Sequence, residues 1–236
     1  MPTRPVPVKT APPPYRLAIF DFDGTLADTL PWFSTLLDDI AARFAIPAAA
    51  GLDVAAMRGL SAREIVAHLE VPAWKLPRIA AHVHRLAEAA EIALFPGVPE
   101  MLAALDARGV RLAVVSSNGE VAVRRALGPA AARVETFACG AKLFGKARVF
   151  RTLVRRAGVP PPHVLCVGDE IRDGEAAHEA GLAFGAVSWG YNTPEALARV
   201  GPAHVFGSIA EIAAALAPGG ACAPASSGGV RPVNRA

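Results

Sequence analysis

The sequence predicts an α/β fold: a Rossmann-like parallel sheet with helices on both faces, interrupted after its first strand by an all-helical insert. Three observations predict it. Short apolar runs at 17–20, 112–115 and 164–167 read as buried strands. Helical periodicity fills the spaces between them, and strands that alternate with helices form parallel sheets. Residues 30–92, however, carry helical spacing alone, which is too much chain for a βα loop and marks an inserted segment.

In chain order, residues 1–15 include Pro5, Pro7, Pro12, Pro13 and Pro14 and are expected to be a disordered tail. The first strand is expected at 16–20. Phe33, Leu36, Leu37, Ile40 and Phe44 then fall at helical spacing until Pro47 stops the run. Ser61 and Glu64 suggest a capping box for a second helix, and Ile79, Val83, Leu86 and Ala90 mark a third. Val98, Met101, Leu102 and Leu105 define a helix ending at Gly109, followed by a strand at 111–115. Ser117 and Glu120 are expected to cap the next helix, which Gly128-Pro129 ends. A short strand at 134–137, a helix ending at Gly158, a strand at 164–167, a helix at 173–180 and a strand at 182–187 follow. Thr193 and Pro194 open a short helix by capping and first-turn rules. A weak strand at 204–206 precedes a last helix capped by Ser208 and Glu211. This divides the chain into an α/β core at 16–29 and 93–217, a helical cap at 30–92, and tails at 1–15 and 218–236.

Composition narrows the function. The formal net charge of +3 is small and the arginines are spread, which argues against a nucleic-acid partner. No apolar run reaches the roughly 18 residues of a membrane span, so no membrane partner is expected. Cys139, Cys166 and Cys222 are odd in number and widely spaced, without a CxxC, so the expected setting is a reducing cytoplasm. Oligomeric state cannot be read from the sequence.

Polar residues cluster where the expected strands end. Asp21-Phe22-Asp23-Gly24-Thr25 follows the first strand, and two carboxylates two apart cannot both be buried unpaired without a cost of several kcal/mol. Just beyond a strand end both can face one crevice, where a hard cation and a nucleophile suit them. The second strand leads into Ser116, Ser117 and Asn118. Lys142 and Lys146 follow the third, and Gly168-Asp169-Glu170, with Asp173 a turn on, follows the fourth. Ligands in open α/β sheets bind at the carboxyl ends of the strands, so all four groups should share one crevice. Carboxylates hold Mg²⁺, while a hydroxyl and an ammonium hold phosphate oxygens.

These four motifs, in this order, resemble those of the haloacid dehalogenase superfamily, and the helical insert resembles that family's C1 cap as found in phosphoglycolate phosphatase and β-phosphoglucomutase relatives. The resemblance implies a Mg²⁺-dependent phosphatase of a small soluble phosphate ester. Asp21 would be the nucleophile that forms an aspartyl-phosphate, and Asp23 the general acid and base. Asp21, the backbone carbonyl of Asp23, and Asp169 would hold Mg²⁺, with Glu170 and Asp173 behind them. Ser116, Ser117, Asn118 and a lysine would bind the phosphoryl group. Lys146 is favoured over Lys142 because Gly145-Lys146 opens a helix. A protonated Asp23, its pKa raised by neighbouring negative oxygens, could protonate the leaving alcohol and later deprotonate water.

Alternative readings stand beside these. Gly140-Ala141-Lys142-Leu143-Phe144-Gly145-Lys146-Ala147 follows a nucleotide P-loop except at Ala147, where a hydroxyl should hold the metal. Trp32, Phe33 and Trp74 read as cap core rather than a substrate box. His82 and His84, two apart, point to different sides of a helix. Arg58 and Arg63 are either solvated or reach down to a substrate anion. Glu170 either tightens the metal site or pairs with Arg172. Asp23 argues against a dehalogenase or a phosphonate hydrolase. A sugar phosphomutase and a non-catalytic phosphate-binding protein on the same scaffold remain the alternatives to a phosphatase.

Overall fold

The computed structural model describes residues 15–140 and 145–216. Lys142, Cys222 and nearly all of the two expected tails lie outside the described residues. Tyr15, placed in the first tail by its sequence, instead donates or accepts a 3.0 Å hydrogen bond with His204 Nε2.

Strand β1 (Leu17–Asp21) is buried along its whole length. Alternate residues point to opposite faces of a strand. Ala18 and Phe20 accordingly enter one apolar cluster, with Leu102, Val123 and Ile212, while Leu17 and Ile19 enter a second, with Phe150, Leu153 and Phe184. That double burial explains the continuous apolar run, which a sheet covered on both faces requires.

The chain then enters the insert. Helices α1 (Leu30–Thr35), α2 (Leu37–Phe44), α3 (Val54–Met57), α4 (Ala62–His68) and α5 (Leu76–Ala89) follow one another, with no strand among the described residues of this segment. The run read as one helix is two, parted at Leu36. Helix α3 carried no sequence signal beyond Asp53, whose side chain accepts from Ala55 N at the helix start. The capping box of Ser61 and Glu64 forms as expected. Ile40, Ala41, Ile46 and Ala49 make a small separate core, packed by Phe44, Leu69, Ile79 and Val83. Trp74 does not join it: its side chain is exposed, because it sits in a short 3₁₀ turn ahead of α5 rather than on a helix face.

The core resumes with α6 (Val98–Ala107), β2 (Arg111–Val115), α7 (Glu120–Leu127), β3 (Thr136–Ala138), α8 (Lys146–Ala157), β4 (Val164–Gly168), α9 (Ile171–Glu179), β5 (Ala183–Val187), α10 (Pro194–Ala198), β6 (His204–Phe206) and α11 (Ile209–Ala215). The six strands form one parallel sheet in the order β3-β2-β1-β4-β5-β6. Two expected caps differ. Helix α7 begins after Gly119, and Ser117 does not cap it. At α11 the Ser208 hydroxyl donates to Glu211, and Glu211 instead accepts from Gly207 N. Helix α9 starts two residues before the expected Asp173, because Glu170 and Asp173 form a reciprocal capping box.

In this strand order the chain winds outward on both sides of the β1–β4 seam. Crossovers diverge there and leave a crevice at the carboxyl ends of the strands. Asp21 ends β1, Ser116 follows β2, and Asp169 follows β4.

Candidate active site

Asp21 is buried at the end of β1, and its Oδ2 lies 2.8 Å from Lys146 Nζ. Lys146 is the first residue of α8, and Gly145 before it has φ 110°, a conformation that favours glycine. Its ammonium also donates to Asp173 Oδ1 at 2.6 Å. Burial pushes the Asp21 carboxyl up to about 7, against the pull of Lys146. Burial opposes the charge on Lys146 as well, but Asp173 and Asp21 outweigh it and hold the ammonium protonated.

Asp169 is wholly buried. Thr25 Oγ1 donates to its Oδ1 at 2.7 Å, and Tyr191 N donates to its Oδ2 at 2.7 Å. Burial, then the charges of Glu170, Asp21 and Asp173, raise its pKa well above the usual carboxylate value. Two glycines admit this carboxylate. A Cβ on Gly24 would stand 2.2 Å from Asp169 Oδ2, and one on Gly190 would stand 2.2 Å from Asp169 Cβ. Gly24 also has φ 71°.

Asp23 is held differently. Asn118 Nδ2 donates to both of its oxygens, at 3.0 and 2.9 Å. The Thr29 hydroxyl also bonds to it, and lies 3.1 Å from Tyr191 Oη. Its pKa is raised, chiefly by burial rather than by a neighbouring anion. Ser116 is buried, and its Oγ accepts from Asn118 N at 3.0 Å. Ser117 lies between them, partly buried.

Glu170 pairs with Arg172, one of the two contacts expected of that carboxylate. Arg172 is held protonated: burial opposes its charge, and Glu170, Asp173 and Asp21 overcome it. Arg58 is partly buried. Its guanidinium donates to the carbonyls of Tyr191 at 3.2 Å and Gly190 at 2.8 Å, because a bend between α3 and α4 brings it onto the loop after β5. Arg63 is exposed on α4. His82 bonds to Asp39 at 2.8 Å within the insert.

Several contributors carried no sequence reading: Thr29, Gly190, Tyr191 and Asn192. Asn192 is buried, accepts from Ile171 N at 2.9 Å, and donates to the carbonyls of Arg58 and Leu60 at 2.9 and 2.8 Å. The available signal was the polar run Ser188-Trp189-Gly190-Tyr191-Asn192 at the carboxyl end of a strand, the position that located the other four groups.

The donor set fits a hard divalent cation. Carboxylate oxygens of Asp21, Asp169 and Asp173 all lie within 4.8 Å of one another. Asp21 Oδ2 is buried and accepts no hydrogen bond, since Lys146 approaches it off the line of one. Four carboxylates face two cations, Lys146 and Arg172, and oxygen-only ligation suits Mg²⁺ or Ca²⁺.

This fold and crevice define a class. The family profile described as "Haloacid dehalogenase-like hydrolase" matches residues 18–187, and the chain belongs to that family. Its fold is the parallel sheet of these hydrolases, and its curated relatives are phosphatases. A phosphoglycolate phosphatase of Synechococcus elongatus is 36% identical over 188 residues, covering 78% of this chain and 89% of the relative. An N-acetylmuramic acid 6-phosphate phosphatase of Pseudomonas aeruginosa is 30% identical over 194 residues, covering 76% of this chain and 84% of the relative. A crystal structure of a predicted phosphoglycolate phosphatase from Haemophilus somnus superposes with a TM-score of 0.66 at 25% identity, covering 84% of this chain and 96% of that one. Among the described residues no helix is long and apolar enough to cross a membrane.

Proposed function

We propose that the chain is a Mg²⁺-dependent phosphomonoesterase that hydrolyses a small soluble ester, of the size of phosphoglycolate, through an aspartyl-phosphate on Asp21. The carrying observation is that two carboxylates two residues apart have separate partners: Asp21 an ammonium, Asp23 an amide and a hydroxyl. Such divergence supports two chemical roles. Residues 30–92 act as a cap over the crevice. Cys139 and Cys166 are free thiols, in keeping with a reducing cytosol.

Asp21, Asp169 and the backbone carbonyl of Asp23 would hold Mg²⁺, with Asp173 beside them tied to Lys146 and to Glu170 N. The ion would neutralise phosphoryl charge and keep Asp21 ionised. Lys146 and Ser116 grip phosphoryl oxygens. A carboxylate oxygen of Asp21 attacks phosphorus, and the ester P–O bond breaks with its electron pair leaving on the alcohol oxygen. Asp23 gives that oxygen its proton. In the second step water attacks phosphorus, Asp23 takes the water proton, the P–O bond to Asp21 breaks, and phosphate leaves.

The test is release of phosphate from p-nitrophenyl phosphate, 2-phosphoglycolate and N-acetylmuramic acid 6-phosphate, with Mg²⁺ and with EDTA. EDTA should abolish turnover and Mg²⁺ restore it. Asp21→Asn should be inactive yet folded. Full activity in chelator, or turnover by pure Asp21→Asn protein, refutes the reading.

A further inference from the structure

The side-chain amide of Asn118 has two N–H donors, and Asp23 has two carboxylate oxygens. The one amide nitrogen lies 3.0 and 2.9 Å from the two oxygens, so it shares an N–H between them. Asn118 is 5% exposed and Asp23 is partly buried, so the contact is shielded on the Asn118 side. Its own backbone is fixed on both sides: its N–H bonds to Ser116 Oγ at 3.0 Å, and its carbonyl accepts from Gly140 N at 2.9 Å. The amide nitrogen is thus held at a fixed place just past the β2 end. A nitrogen almost equidistant from both oxygens favours the carboxyl orientation that keeps both within reach and resists rotation about the last side-chain bond.

Position in sequence grouped Asn118 with Ser116 as a phosphoryl ligand. Phosphoryl oxygens are acceptors and need N–H or O–H donors. The amide nitrogen of Asn118 is engaged with Asp23, while the Ser116 hydroxyl, which accepts from Asn118 N, and the Lys146 ammonium beside Asp21 are the nearby groups that can donate to a phosphoryl oxygen. We infer that Asn118 is a positioning residue for proton transfer: it fixes the plane of the Asp23 carboxyl so that one oxygen meets the departing ester oxygen and later the attacking water. This rests on the reading of Asp23 as the acid and base. Proton transfer by a positioned side chain is worth about 10²–10⁴-fold, and a misplaced group forfeits part of it.

The leaving group tells positioning from phosphoryl grip. An alkoxide leaves poorly unless protonated, whereas p-nitrophenolate leaves without a proton. Both esters present the same phosphoryl group. The experiment compares kcat/KM for 2-phosphoglycolate and β-glycerophosphate with that for p-nitrophenyl phosphate. In Asn118→Ala the alkyl esters should lose about 10–100-fold and the aryl ester several-fold less. The near-isosteric Asn118→Leu, which removes the donor without opening a cavity or adding a charge, should show the same ordering. In an Asp23→Asn background, Asn118→Ala should add little, since coupled residues are non-additive. Equal losses on alkyl and aryl esters would make Asn118 a phosphoryl ligand and overturn the inference, as would no loss on either. If Asp23→Asn itself shows no leaving-group dependence, the acid–base assignment has failed. If it does and Asn118→Ala does not, only the inference has failed.

Discussion

Lys146 Nζ lies 2.8 Å from Asp21 Oδ2, the oxygen that accepts no hydrogen bond. A buried ammonium beside a candidate nucleophile can serve the folded state and the reaction at once. It offsets two carboxylates, since it also bonds Asp173 at 2.6 Å, and it stands where phosphoryl charge would accumulate. Lys146→Ala should therefore lower kcat by about 10²–10³, the scale of losing one transition-state donor. It should also lower the melting temperature in EDTA, because removing one partner of a buried ion pair costs about 3–5 kcal/mol. Mg²⁺ should recover part of that stability. A kcat within threefold of wild type would remove Lys146 from the phosphoryl grip.

Much of this site was legible in the sequence. Asp21, Ser116 and Asp169 each follow an apolar run, and parallel strands bring their carboxyl ends together. That gave an approximate position for each group without any knowledge of its partners. The partners were not legible. Asn118 meets Asp23 across 95 residues of chain, and Arg58 meets Gly190 across 132. Periodicity reports which face of an element is apolar, and it carries no information about such pairings. Trp74 failed for a related reason: an aromatic residue in a helical stretch suggests core, but the turn before α5 leaves it outside.

Gly190 illustrates a constraint visible only in three dimensions. A Cβ there would meet Asp169 at 2.2 Å from Cβ and 2.3 Å from Oδ2. The obstacle is a wholly buried side chain pinned by Thr25 and by Tyr191 N, so it cannot step aside. Gly190→Ala should displace Asp169, weaken Mg²⁺ binding measured by calorimetry, and destabilise the fold by about 1–3 kcal/mol as overpacking does. Unchanged metal affinity would show that the loop absorbs the methyl group elsewhere.

Arg58 ties the insert to the same loop. Its guanidinium holds the carbonyls of Gly190 and Tyr191, Thr193 N and Asn192 Nδ2 bond back to its own carbonyl, and Arg199 holds Gly59. Arg58→Ala should loosen the insert by about 1–3 kcal/mol, the worth of hydrogen bonds to a charged group. Hydrogen exchange at residues 58–61 should then speed up while the β1 and β4 amides stay protected. KM should rise more than kcat falls, because Arg58 touches no candidate catalytic side chain. Equal protection in variant and wild type would mean that the backbone contacts alone hold the insert.

His204 gives the fold a pH dependence that can be followed apart from catalysis. It stacks on Phe206 with ring centroids 5.6 Å apart, and Tyr15 meets it edge-on with its hydroxyl 3.0 Å from Nε2. Burial lowers its pKa below the ordinary 6.5, since the packed ring is easier to keep neutral than charged. The folded state therefore binds fewer protons than the unfolded state across that interval. The stabilisation is complete above the unfolded value near 6.5, and is lost as pH falls through it toward the folded pKa. Chemical denaturation at several pH values should show stability declining from about pH 7 to 5, with other groups adding a background. His204→Gln keeps a polar ring-sized group without a titrating one, and should flatten that part of the curve. The ring protons of His204, followed by NMR, should titrate below the ordinary 6.5 of an imidazole. A slope unchanged by His204→Gln would assign the decline to groups other than His204 and outside the crevice, because the raised carboxyls of Asp21 and Asp169 favour the folded state as pH falls.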